Sequence, residues 1–224
     1  LQTTNATANA VLVRTSSGAI LDGGDANVDI IANAVGALTT LDAQDGIGSG
    51  NAIETTVNIL DAHNTLSGNI EISETDSINV QRILQDGDDS ISLIAAGNIE
   101  ILAAGTGVII DDSANADGNA DILLRSTAGN VLINQIVRND SDHADADIVL
   151  DAIGQNSDVT VNALVSTAAG DITFEADDSV LFTATGDVTA AGAGNVLVNA
   201  NRANTVGDNA DGIVMADGTV INAG

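Results

Sequence analysis

The chain has 224 residues, 44% hydrophobic and 1% aromatic, so its core has to be built from Val, Ile, Leu and Ala. Such a set suits a narrow interior of constant cross-section better than irregular gaps that rings would fill. Thirty-two Asp and Glu stand against five Arg and no Lys, a formal net charge of −27, which excludes binding by phosphate neutralisation and hence nucleic acid; the absence of Cys removes disulfides and thiolate metal sites, and no apolar run has the length of a membrane-spanning helix, so no membrane insertion is expected.

Taken in order, the first strand-like segment is AVLV at 10–13, followed by ANVDI at 26–30. Residues 43–66 are less regular: Ile53, Val57 and Leu60 fit a short helix, whereas Val57, Ile59 and the Thr pair fit a strand equally well. A repeated pattern then sets in, with GNIEI at 68–72, DSINV at 76–80, DSISL at 89–93 and GNIEI again at 97–101. Residues 111–120 read as a polar loop or wide corner. Beyond it come ADILL at 120–124 and GNVLI at 129–133, then a second polar corner, NDSDHADAD, at 139–147. The last third repeats the pattern as SDVTV (157–161), GDITF (170–174), DSVLF (178–182), GDVTA (186–190) and GNVLV (194–198). A polar stretch at 199–212 precedes GTVINAG at 218–224.

Each copy alternates apolar and polar residues, which puts the apolar side chains on one face of a short strand. Each is introduced by Gly-Asn, Gly-Asp or Asp-Ser, residues that accept sharp turns. Ile172, Val180, Val188 and Val196 follow at intervals of 8, and Ile70 to Ile91, Ile78 to Ile99 and Val159 to Val180 are each 21 apart. Ile99 to Ile122 is 23 and Ile172 to Val196 is 24. Sides of eight residues in a coil of 21–24 predict an all-β fold, a right-handed parallel β-helix with three sides per coil. Residues 1–224 then form a single domain of roughly eight to ten coils, a rod of about 40–50 Å at the inter-strand spacing. The lack of Pro agrees, since nearly every strand of such a stack donates to a ladder on both sides. Asn69, Asn98, Asn130, Asp171, Asp187 and Asn195 occupy equivalent corner positions and are expected to stack.

Candidate chemistry centres on acidic clusters: Asp22 with Asp25; Asp86, Asp88 and Asp89; Asp111 and Asp112; Asp177 and Asp178; and Asp140, Asp142, Asp145 and Asp147. The last four are the calcium candidates, because calcium takes six to eight oxygen ligands that clustered carboxylates and carbonyls at a corner can supply. Their spacing is not that of an EF-hand, and a solvated anionic corner is the alternative. No cofactor is expected beyond such a calcium ion. His63 and His143 are several coils apart, too far to share a metal without a folded-back loop. Paired carboxylates for polysaccharide cleavage could come from Glu71, Glu74 and Asp76 or from Asp111 and Asp112, but the chain lacks the aromatic platforms and clustered cations that sugar cleavage uses. Thr160, Thr173 and Thr189 share a strand position. Asn5-Ala6-Thr7 and Asn139-Asp140-Ser141 are formal glycosylation sequons.

The run GIGSGNAIETTVNILDAHNTLSGNIEI at 46–72 resembles large exoproteins of the filamentous-haemagglutinin type and giant bacterial surface proteins built from tandem repeats. There a Gly-rich turn, an Asn, Thr-x-Val and a spaced Leu and Ala lead into a Gly-Asn-Ile strand. The resemblance implies secretion to the bacterial cell surface or medium and a fibrous β-helix with a structural or adhesive role. The expected function is therefore a structural segment of a long extracellular fibre, not an enzyme. Its partners would be copies of itself, covalent or stacked end to end, and a cell-surface glycan or protein receptor. The alternative readings are a calcium- or glycan-binding solenoid module and a polysaccharide lyase or hydrolase.

Overall fold

The computed structural model describes residues 1–111, 120–202 and 212–224. Among them the regular structure is entirely strand, and every strand pairing is parallel. The first turns carry β1 (Val11–Arg14), β2 (Ile30–Ala32), β3 (Leu38–Ala43), β4 (Ile53–Val57), β5 (Ile59–Asn64), β6 (Ile70–Glu74) and the long β7 (Ile78–Gln85). Each later turn carries three short strands. These are β8 (Ile91–Ala95), β9 (Ile99–Ile101) and β10 (Gly107–Ile110); β11 (Ile122–Ser126), β12 (Val131–Ile133) and β13 (Val137–Asn139); β14 (Ile148–Ala152), β15 (Val159–Val161) and β16 (Val165–Thr167). The last two sets are β17 (Ile172–Ala176), β18 (Val180–Phe182) and β19 (Val188–Ala190), then β20 (Val196–Asn199), β21 (Ile213–Met215) and β22 (Ile221–Ala223).

The strands stack into three faces. The first is the eight-stranded sheet β2-β4-β6-β8-β11-β14-β17-β20. The second runs from β7 through β9, β12, β15 and β18 to β21, and the third from β1 through β3, β5, β7, β10, β13, β16 and β19 to β22. β7 belongs to two faces: Ile78–Val80 pair with β9, and Arg82–Gln85 with β10. The whole is a β-solenoid of about seven turns.

The repeat residues land where their period places them. Ile70, Ile91, Ile122, Ile148, Ile172 and Val196 stand in one column of the first face. Ile78, Ile99, Val131, Val159, Val180 and Ile213 form the column of the second. From Ile70 to Val188 these inward residues, with their i+2 partners, make one continuous core; Val196 packs against it half-buried, and Ile213 is 51% exposed. Full burial of such side chains contributes roughly 1.5–3 kcal/mol each. Phe174 and Phe182, from the first and second faces of one coil, meet edge-to-face inside it, with ring centroids 5.2 Å apart and an interplanar angle of 80°.

Two expectations shift. The coils are fewer than eight to ten because several are longer than 21–24 residues: Ser90 to Asp121 spans 31 and Asp121 to Asp147 spans 26. The 23-residue interval from Ile99 to Ile122 is not a coil repeat, since Ile99 lies on the second face, paired with Val131, and Ile122 on the first, paired with Ile91 and Ile148. The 43–66 stretch is strand. Ile53, Thr55 and Val57 turn inward from β4, Asn58 takes the corner, and Leu60, Ala62 and Asn64 turn inward from β5. Its entry turn needs glycine at Gly48, where φ is +66° and a Cβ would stand 2.3 Å from the Glu71 carbonyl oxygen. The expected loops at 111–120 and 199–212 fall mostly on 112–119 and 203–211, outside the described residues.

Candidate functional site

The six corner residues are not equivalent: Asn69, Asp171 and Asn195 stack at one corner, Asn98 and Asn130 at a second, and Asp187 stands at the third. At the entry to the first face, Ser49 Oγ accepts the N–H of Asn69, Asn69 Oδ1 that of Ser90, and Ser90 Oγ that of Asp121. Asp121 Oδ1 then accepts from Asp147 N (2.9 Å), Asp147 Oδ1 from Asp171 N (2.8 Å) and Asp171 Oδ1 from Asn195 N (2.7 Å). At the entry to the second face the same relay runs Ser77, Asn98, Asn130, Asp158, Ser179. At the third corner Asp187 Oδ1 accepts from Val220 N. In every rung a short oxygen-bearing side chain takes the backbone N–H of the equivalent residue one coil later, satisfying a donor that the turn would otherwise leave open. The relay puts like charges above one another. Burial, and then the charges of Asp121, Asp171 and Asp145, push the Asp147 carboxyl above the usual range, against the Asp171 N–H that lowers it.

The four calcium candidates do not converge. Asp140 is bound by Arg138 at 2.8 Å, Asp142 is exposed, the Asp145 N–H donates to His143 Nδ1, and Asp147 belongs to the relay. Among the described residues, the acidic side chains whose ligating atoms lie within 4.8 Å of one another as a group of three are Asp22, Asp29 and Glu54. Asp22 Oδ2 also accepts from Gly24 N and from the Asn51 amide, and Asp29 Oδ2 from Glu54 N. Burial, reinforced by Asp22 and Asp29, raises the Glu54 pKa. Sequence reading reached Asp22 but paired it with Asp25. Asp29 and Glu54 join it across a coil boundary of 25 residues in a stretch without a clean period.

The five arginines are placed to hold carboxylates. Arg14 reaches Asp42 (2.5 Å), and Arg82 reaches Asp61 (2.6 Å) with Asp42 beyond it at 3.8 Å. Arg125 binds Asp151 (2.7 Å). Arg202 spans three carboxylates, Asp151, Glu175 and Asp177, from two lower coils. Asp151 has a side chain only 2% exposed, and the two guanidiniums on it explain how a carboxylate is tolerated there. Burial pulls the Arg202 pKa down, but the Asp177 hydrogen bond and the Asp151 charge outweigh it and the net shift is upward. A groove of about 470 Å³ beside Arg14, Asp42, His63 and Thr65 has its arginine already bound by Asp42 and its His63 Nε2 2.7 Å from Asp86.

The remaining candidates separate. Glu71 faces outward and Glu74 inward from the same strand, so they do not flank a common cleft. Asp112, the partner of Asp111, lies outside the described residues. Thr160, Thr173 and Thr189 sit on the second, first and third faces and form no row. Asn139 is fully buried, its amide donating to the Ala120 carbonyl, so that sequon is closed in the fold. Among the described residues no helix is long and apolar enough to cross a membrane.

Fold and corners together define a parallel β-solenoid whose polar residues serve chiefly to join one coil to the next. Comparison with family models, curated proteins and solved structures finds no match to this chain.

Proposed function

We propose that this chain is a structural segment of a long extracellular or cell-surface fibre, acting mechanically and not as an enzyme. The observation that carries this reading is the stack: one apolar core is continuous from Ile30 to Ala190, with parallel ladders on the first and third faces along the described solenoid and on the second from β7 upward. Its corner Asn, Asp and Ser side chains, with Arg14, Arg82, Arg125 and Arg202, make coil-to-coil contacts. A net charge of −27 keeps such rods soluble and laterally apart. The resemblance of residues 46–72 to filamentous-haemagglutinin-type exoproteins supports placement at a bacterial surface, with adhesion through a glycan or protein receptor as a second role. Negative-stain images of the native material test it: long thin filaments are expected, and isolated short rods without end-to-end contact would sink the polymer.

A second reading, a calcium-binding solenoid module, draws on the convergence of Asp22, Asp29 and Glu54. Melting with calcium and with EDTA decides it, since an unchanged midpoint removes the ion.

A further inference from the structure

Glu74 ends β6 on an inward position and is 2% exposed, yet none of the five arginines reaches it. Its Oε2 accepts from Thr55 Oγ1 (2.8 Å) and Val57 N (3.0 Å), and its Oε1 from Thr75 N and Asp76 N (3.1 and 3.3 Å). The elements packed on it bring no compensating cation. β4 presents Thr55 and Val57, β8 presents Ala95, and the corner beyond β2 presents Asn33, whose amide donates to Asp76 Oδ2. The charged group next to Glu74 is Asp76, two residues on, whose own N–H donates to Glu74 Oε1. The other oxygen of Asp76, Oδ1, is buried and accepts no hydrogen bond from any donor. A buried acceptor without a donor costs about 1–3 kcal/mol, and two ionised carboxylates side by side, one of them buried, cost more. One proton on Glu74, donated to Asp76 Oδ1, removes both penalties.

We propose that Glu74 is held as a neutral acid that shares its proton with Asp76, making the β4–β6 corner a pH-sensitive joint that tightens in acid and loosens in alkali. Four donors on Glu74 favour its charged form, but burial is the larger effect and pushes its pKa up to about 8. The sign follows. An acid whose folded pKa lies above its unfolded value contributes stability that is full below about 4.5 and lost as the pH rises to about 8.

The chain has only five glutamates, so ¹³C-carboxyl labelling of Glu gives a countable set of signals, and the one missing in Glu74→Gln is Glu74. A midpoint near 8 in the unaltered protein is expected, and one near 4.5 overturns the proposal. Asp76→Asn, which offers an amide donor in place of the orphaned oxygen, should move that midpoint down by a unit or more. An unmoved midpoint overturns the shared proton even if Glu74→Gln fails to fold. Amide exchange at Val57 and Thr75 should quicken between pH 6 and 9 beyond its intrinsic pH dependence in the unaltered chain, and no such excess would remove the joint.

Discussion

The lower and upper coils solve the same packing problem differently. From β8 upward each turn is three short strands, and between Ile172 and Val196 the inward residues recur every eight positions. Below β7 a turn is carried by two longer strands, and the corner between the second and third faces is smoothed away. β7 marks the change. Below it β5 runs along both of its halves, with a register shift between Leu60 and Asp61, while above it β9 and β10 are separate strands. Both interiors hold buried polar side chains: Thr39, Thr55, Asn64, Glu74 and Gln85 below, and Ser126, Asn139, Ser141, Asp151, Ser157, Thr167 and Ser179 above. Inward side chains satisfy strand ends in both halves: Glu74 takes the Val57 N–H below, and Asn139 the Ser141 N–H above.

Breaking the upper filling should have the largest effect. Phe174→Ala removes one ring of the edge-to-face pair and leaves a cavity, with an expected loss of about 3–5 kcal/mol in chemical denaturation. The lower coils can be broken at a turn. Gly48→Ala meets both a positive φ and the Glu71 carbonyl, an expected loss on the order of 3 kcal/mol. Gly50→Ala, also at positive φ but with open space around it, should cost only about 1 kcal/mol. Equal losses would show that strain, and not the close approach, governs that turn. The smallest effect sharpens the upper corners. Asp158→Ala leaves the Ser179 N–H without its acceptor, an expected loss of about 1–2 kcal/mol, and faster amide exchange at Ser179 while Ile91 stays protected.

That contrast also explains what could be read from sequence. Between 157 and 198 the motif GDITF…DSVLF…GDVTA…GNVLV carries side, corner and coil length, because each strand holds two inward apolar residues and each corner an Asp, Asn or Ser. The corner stacking was legible for the same reason. Between 43 and 66 the corner at Asn58 is one residue long, so Ile53, Val57 and Leu60 mimic a helical spacing while lying on two strands. The acidic sites were the least legible. Asp140, Asp142, Asp145 and Asp147 are close along the chain but point into separate contacts, whereas Asp22, Asp29 and Glu54 meet only because β4 lies over β2. Proximity within a coil follows the sequence, but proximity between coils depends on loop lengths that leave no periodic trace.

The backbone ladders of the solenoid run along its long axis, and this determines how it would respond to a pull. Tension applied end to end loads a whole coil's ladder at once, but coils are joined in series, so the outermost one gives way first and the rest keep their length. Coils of 24 residues, such as that from Asp147 to Asp171, would each release a contour of about 80 Å at the length of extended chain while surrendering only about 5 Å of rod. The same stack that is stiff in bending is thus a spool under tension, paying out one coil at a time in steps set by the coil's own length and rewinding on the coil beneath.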